Sequence, residues 1–136
     1  MKRLAYGVGL LAVLTSTTVQ AQSMDLVANI PFEFRIGETR LPAGEYLLHQ
    51  APGVLFVKEQ GGHHKAAMLF TAGAFRLDPL KTGEVEFNRY GDTYFLAKIW
   101  LPGDRQGRAA IKTPPEKELA AEAGVIQKVG IALQRK

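Results

Sequence analysis

Three groups of side chains in this sequence could do chemistry. The first is histidine. His63 and His64 are adjacent, and His49 stands fourteen residues before them. Imidazole is a common metal ligand. On a strand, neighbouring side chains point to opposite faces and could not share one ion; in a loop after Gly61-Gly62 they could. No carboxylate stands at a ligand spacing, and no His-Glu-x-x-His run is present. A solvated turn is the expected reading, no metal is expected, and His63 and His64 are the ligand candidates that remain.

The second group is acidic. Glu84 and Glu86 lie two apart on one strand face, a spacing within the range of about 5–9 Å at which paired carboxylates cleave glycosides. Alternating acids also mark an ordinary solvent-facing strand, and nothing around them implies a cleft. No Gly-x-Ser-x-Gly elbow occurs. The chain has no cysteine, which removes thiolate nucleophiles, thiolate metal sites and disulfides. Gly61-Gly62 lacks the spacing of a phosphate-cradling loop. Neither enzymatic activity nor a cofactor is expected.

The third group is aromatic and basic. Trp100, Tyr94 and Lys98, with Arg105 nearby, could stack on a sugar ring and grip an anion, since a guanidinium offers a forked donor. Arg89 and Tyr90 fall at a hairpin tip, where exposure is expected, and both residue types anchor interfaces. The competing reading for Trp100 is burial beneath the C-terminal helix or strand. The candidate contact set is Arg89, Tyr90, Tyr94, Lys98 and Trp100.

The elements that must position these residues read as strands. Ala28, Ile30, Phe32, Phe34 and Ile36 alternate with polar or small neighbours, the period of a half-buried strand. Pro31 has no amide proton and predicts an edge or a bend there. Gly37-Glu38 suits a two-residue turn into Thr39–Leu41. Tyr46–His49 and Val54–Lys58 flank a turn at Ala51-Pro52-Gly53. Lys65–Thr71 is apolar on both faces and predicts a central strand. From Glu84 to Leu101 the pattern predicts a hairpin with a three-residue loop, Arg89–Gly91. That register places Val85, Phe87, Phe95, Ala97, Ile99 and Leu101 on one face. Tyr94, Leu96, Lys98 and Trp100 then share the other face with Glu84 and Glu86. Arg105, Arg108 and Lys112 make the following loop basic. Thr113-Pro114-Pro115-Glu116 is a helix start with a capping box. Glu116–Ala123 predicts a two-turn helix that docks by Leu119 and Ala120 or Ala123 and stops at Gly124. Val125–Leu133 alternates as a final strand that closes or extends the sheet.

At 136 residues, 46% of them hydrophobic, the chain suits one globular domain. Lys2 and Arg3, an apolar run over 4–14 and the small residues Val19 and Ala21 form a secretory leader pattern, predicting cleavage after Ala21 and export to the periplasm or beyond. The run is too short to span a bilayer. Removing residues 1–21 leaves 115 residues, and loss of Lys2 and Arg3 takes the 17 basic side chains to 15 against 13 acidic. A net charge of +2 argues against a nucleic-acid partner. No later segment is long enough to cross a membrane.

Ile30-Pro31-Phe32 through Leu41-Pro42-Ala43-Gly44-Glu45-Tyr46 resembles a pattern in uncharacterised small exported bacterial β-domain proteins. Asn88-Arg89-Tyr90-Gly91-Asp92, Tyr94-Phe95-Leu96, Trp100 and Glu118-Leu119-Ala120 fit the same group. The likeness runs from Ala28 to Leu133 and implies a β-domain of the cell envelope without implying an activity. Leu41–Tyr46 is also similar to a stretch of prealbumin-like and carboxypeptidase-regulatory-type sandwiches, mostly structural or adhesive domains.

The resulting expectation is an all-β fold: a small antiparallel sandwich or barrel with one short helix before the last strand. The leading function is an exported, non-catalytic module for binding or envelope structure, its partner an envelope protein or a carbohydrate. The alternative is a barrel-type carrier of a small apolar ligand, which needs an internal cavity of about 300 Å³ or more. A hydrolase built on His63, His64 or the paired glutamates comes third.

Overall fold

A computed structural model describes residues 25–61 and 65–135. The predicted leader, His63 and His64 lie outside the described residues. The strands are β1 (Asp25–Ile30), β2 (Phe34–Ile36), β3 (Thr39–Leu41), β4 (Gly44–Ala51), β5 (Val54–Glu59), β6 (Ala66–Phe75), β7 (Glu84–Tyr90), β8 (Thr93–Trp100), β9 (Gln106–Ala110) and β10 (Gln127–Arg135), with helix α1 (Pro114–Ala123) before the last. Eight of them close on themselves in the order β8-β7-β10-β1-β4-β5-β6-β9 and back to β8. Every neighbouring pair in that ring is antiparallel. Between the two architectures left open by the sequence, the fold is the barrel. The final strand closes it, running between β7 and β1.

Pro31 bends the chain, as expected. The alternating run breaks there into β1, which stays in the barrel wall, and β2, which leaves it. β2 and β3 form a hairpin across Gly37-Glu38, with Gly37 at φ +60°. β2 meets the N-terminal half of β8 in parallel at Arg35, while β9 pairs with its C-terminal half.

The inward side chains fill the barrel. Leu26, Ala28, Ile30, Phe34, Tyr46, Leu48, Leu55, Val57, Val85, Phe87, Ile99 and Leu133 are all buried in one cluster. Phe34 stands edge-on to both Tyr46 and Phe87, with ring centroids 5.0 and 5.4 Å away. The apolar interior differs from the polar lumen of a transmembrane barrel. Beneath α1, between β2, β6 and β8, a void of about 20 Å³ remains.

Leu41–Tyr46 has a structural role. Leu41 and Tyr46 are buried, and the Tyr46 hydroxyl donates to the Pro42 carbonyl, folding the corner between β3 and β4 onto the core. Burial pushes the Tyr46 hydroxyl pKa up to about 12, and the Glu59 charge adds to the rise.

Three local expectations are corrected. The β7–β8 loop has two residues, Gly91-Asp92, with Tyr90 opposite Thr93 and Gly91 at φ +61°. A two-residue hairpin needs positive φ at its first loop position, and Gly91 supplies it. A bulge at Ala97 then restores the alternation further along: Phe87 faces Leu96, but Glu86 faces Lys98. Leu96, not Phe95, therefore joins the central cluster. β6 lies between β5 and β9, but β5 pairs with its first half and β9 with its second, so Lys65–Thr71 is not a central strand along its length, and its second apolar face, Met68 and Phe70, is exposed. Helix α1 has Thr113 at its N-cap and Gly124 at its C-cap, but no side-chain cap bond forms. Glu116 is buried and turned to Tyr90, whereas Leu119 and Ala120 are half-buried and Ala123 is exposed.

Candidate functional site

The five predicted contact residues do not form one surface. Trp100 is 4% exposed and Tyr90 is 3% exposed. The Trp100 ring lies outside the barrel wall against Gly107, where any Cβ would come within 2.6 Å of the Ile99 carbonyl oxygen and 2.5 Å of the ring. Arg76 covers the ring at 5.0 Å from its centroid, and Lys98, half-buried, sits at 6.0 Å. The indole N–H donates to Glu86 Oε2 at 3.3 Å. The cover predicted from the C-terminal helix or strand is supplied by Arg76 and the β9 backbone.

Tyr90 lies beneath α1 and donates its hydroxyl to Glu116 Oε2 at 3.0 Å. Burial, followed by the Glu116 charge and hydrogen bond, raises its pKa to about 12. Tyr94 stacks on Phe32 at 3.9 Å and packs against the core. Arg89 lies over the Tyr94 ring and is held to the hairpin tip by its Nε–H bond to the Gly91 carbonyl at 2.7 Å. Arg89 and Tyr94 thus stand at the hairpin end, and Lys98 and Trp100 towards the other end of β8.

Glu84 and Glu86 are held on the outer wall. Glu86 takes the Trp100 N–H and lies 3.6 Å from Lys128 Nζ, while Glu84 lies over Gly130. His49 also faces outward, its Nδ1 2.6 Å from Asp25 Oδ1 on the neighbouring strand. Among the described residues no three potential metal ligands cluster. Glu59 is buried at 5% exposure, with Oε2 unpartnered among the described residues and its charge felt by the Tyr46 hydroxyl.

A different site lies at the barrel mouth where β6, β8 and β9 begin or end. A cleft of about 480 Å³ is lined by Gln50, Gly73–Phe75, Leu101, Asp104 and Gln106–Arg108. Arg108 is fixed at two points: its Nε–H donates to Thr71 Oγ1 at 3.0 Å and its Nη2–H to the Thr71 carbonyl at 2.9 Å. Nη1 makes no hydrogen bond to the protein among the described residues, and no carboxylate lies within ion-pair distance of the guanidinium. Gly73, opposite Arg108 across the β6–β9 pair, leaves space beside Nη1. Phe75 stands at the rim, 64% exposed. Asp104 accepts the Gln106 amide at 2.9 Å, which holds the loop into β9.

In the sequence Arg108 reads only as one charge of a basic loop. Gln106–Ala110 has no apolar alternation. It becomes a strand because β6 and β8 both offer it hydrogen bonds. The available signal was the pair of small residues, Gly73 and Gly107, that make room for large neighbours. Comparison of the chain with family models, with curated proteins and with solved structures gives no match.

Proposed function

We propose that this chain is an exported, non-catalytic binding module of the cell envelope that holds an acidic sugar unit at the barrel mouth. The observation that carries the reading is Arg108, anchored by Thr71 with a free guanidinium edge on a cleft of about 480 Å³. That volume falls within the range of about 300–1,000 Å³ usual for small-ligand sites. A pre-fixed guanidinium loses little conformational freedom when it takes a carboxylate in a forked contact. Gln50, Gln106 and Asp104 offer donors and acceptors to sugar hydroxyls, and Phe75 offers a ring face.

Export rests on the leader pattern of residues 1–21 and the envelope setting on the resemblance. The packed interior weighs against the apolar-carrier alternative, because Phe34, Tyr46, Leu48, Val57, Val85 and Phe87 fill the barrel and are fully buried. The proposal is tested by thermal unfolding with galacturonate, with neutral galactose as control. Galacturonate is expected to raise Tm and galactose to leave it unchanged, and Arg108→Gln is expected to abolish the rise. An equal response to both sugars, or an undiminished rise in Arg108→Gln, would overturn the assignment.

A further inference from the structure

The outward face of β5 and β6 carries side chains that a solvated barrel wall does not need. Phe56 and Met68 are direct cross-strand partners, and Phe70 is the next outward residue on β6. The Ile111 amide donates to the Phe70 carbonyl, extending the patch past the end of β9. These four residues are 43, 52, 62 and 57% exposed in that order. A contiguous apolar patch of this kind on a soluble wall marks a contact surface. β5 is paired on both sides, with β4 and with β6, so over Phe56 only side chains can dock, while the first half of β6 pairs with β5 alone.

The charges around the patch identify the partner. Lys58 follows Phe56 by two residues on the same face, Lys65 precedes β6, and Lys112 follows Ile111; all three are exposed. None of them makes an ion pair among the described residues. No acid faces outward from β5 or β6, since Glu59 is buried; on the neighbouring strands Glu45 stands at the start of β4, and Asp25 of β1 is held at 2.6 Å by His49, the cross-strand partner of Phe56. A two-fold contact with a second copy would set lysine against lysine. Protein interfaces are depleted in lysine and favour arginine, and the three cations of this rim that make no ion pair among the described residues are all lysine. Exposed apolar side chains interleaved with lysine are the composition of surfaces that rest on anionic bilayers.

We propose that the β5–β6 face docks on an anionic lipid surface, with Phe56, Met68, Phe70 and Ile111 entering the headgroup boundary and Lys58, Lys65 and Lys112 meeting lipid phosphates. This contact is separate from the barrel mouth. It is tested by co-sedimentation of the protein, purified as the producing cell processes it, with phosphatidylcholine vesicles with and without phosphatidylglycerol. Binding is expected only to vesicles containing phosphatidylglycerol, and it should fall as salt rises. Met68→Ser/Phe70→Ser and Lys58→Gln/Lys112→Gln should each reduce it roughly tenfold, with unfolding temperatures unchanged because every altered side chain is exposed. Equal binding by the variants, equal binding to both vesicle types, or no binding would overturn the proposal. So would a patch-dependent dimer, or capture of an acidic protein in place of lipid.

Discussion

Tyr90 and Glu116 form a hydrogen bond that ties α1 to the barrel. Phenylalanine at position 90 would leave a buried carboxylate without its donor, at a cost of about 1–3 kcal/mol. The same hydroxyl makes stability depend on pH. Tyr46 and Tyr90 hold their protons up to about pH 12 in the folded state, whereas an unfolded tyrosine loses its proton near pH 10. Between these values the folded state binds more protons, so stability is complete below about pH 10 and falls as pH rises towards 12. Each tyrosine contributes roughly 2–3 kcal/mol to that fall. Urea unfolding at pH 9 and pH 11 should therefore show a smaller loss in Tyr90→Phe than in the parent chain; an equal loss would remove Tyr90 from the account. At this scale the sequence was partly legible. The burial of Trp100 is legible but its cover is not, because Arg76 stands 24 residues away, and the exposure expected of Tyr90 fails because Glu116 covers it from 26 residues away.

The elements were legible where local chemistry decides them. Gly37-Glu38, Pro52-Gly53 and the Thr113-to-Gly124 helix follow from turn and cap preferences that act over a few residues. The β7–β8 register was not, because the bulge at Ala97 leaves no mark in hydrophobic alternation: a two-residue loop plus one extra residue gives the same inward Ile99 as an odd loop would. β9 was missed because its hydrogen bonds come from both neighbours and not from its own side-chain pattern. That strand gives the next prediction. Gly107→Ala would place a methyl group within 2.6 Å of the Ile99 carbonyl oxygen and 2.5 Å of the Trp100 ring. Overpacking of this kind costs about 1–3 kcal/mol. Denaturant titration should show that loss together with a red-shifted Trp100 emission as the ring becomes wetter. Gly91→Ala serves as comparison: no atom lies within 4 Å of its added Cβ, so it should weaken the hairpin through its positive φ and leave the emission unchanged.

As a whole molecule, the described residues form a closed barrel whose interior is occupied by its own side chains. All-β character is visible in sequence because period-two alternation recurs in most strands between Ala28 and Leu133, and the helix before the last strand because Thr113-Pro114-Pro115-Glu116 and Gly124 mark its ends. Closure was not, because it depends on β10 pairing with β1, about 100 residues earlier in the chain, and on β9 bridging β6 to β8. The candidate site was hidden for the same reason: Gln50, Phe75 and Arg108 come from three strands that only the barrel brings to one rim. The most direct measurement is a side-chain NMR titration of arginine Nε–H and glutamine amide resonances with galacturonate. Saturable shifts are predicted at Arg108, Gln50 and Gln106, with Arg89 and Arg105 unmoved. Shifts at Arg89 with none at Arg108, or no saturable shift anywhere, would contradict a ligand held at the barrel mouth.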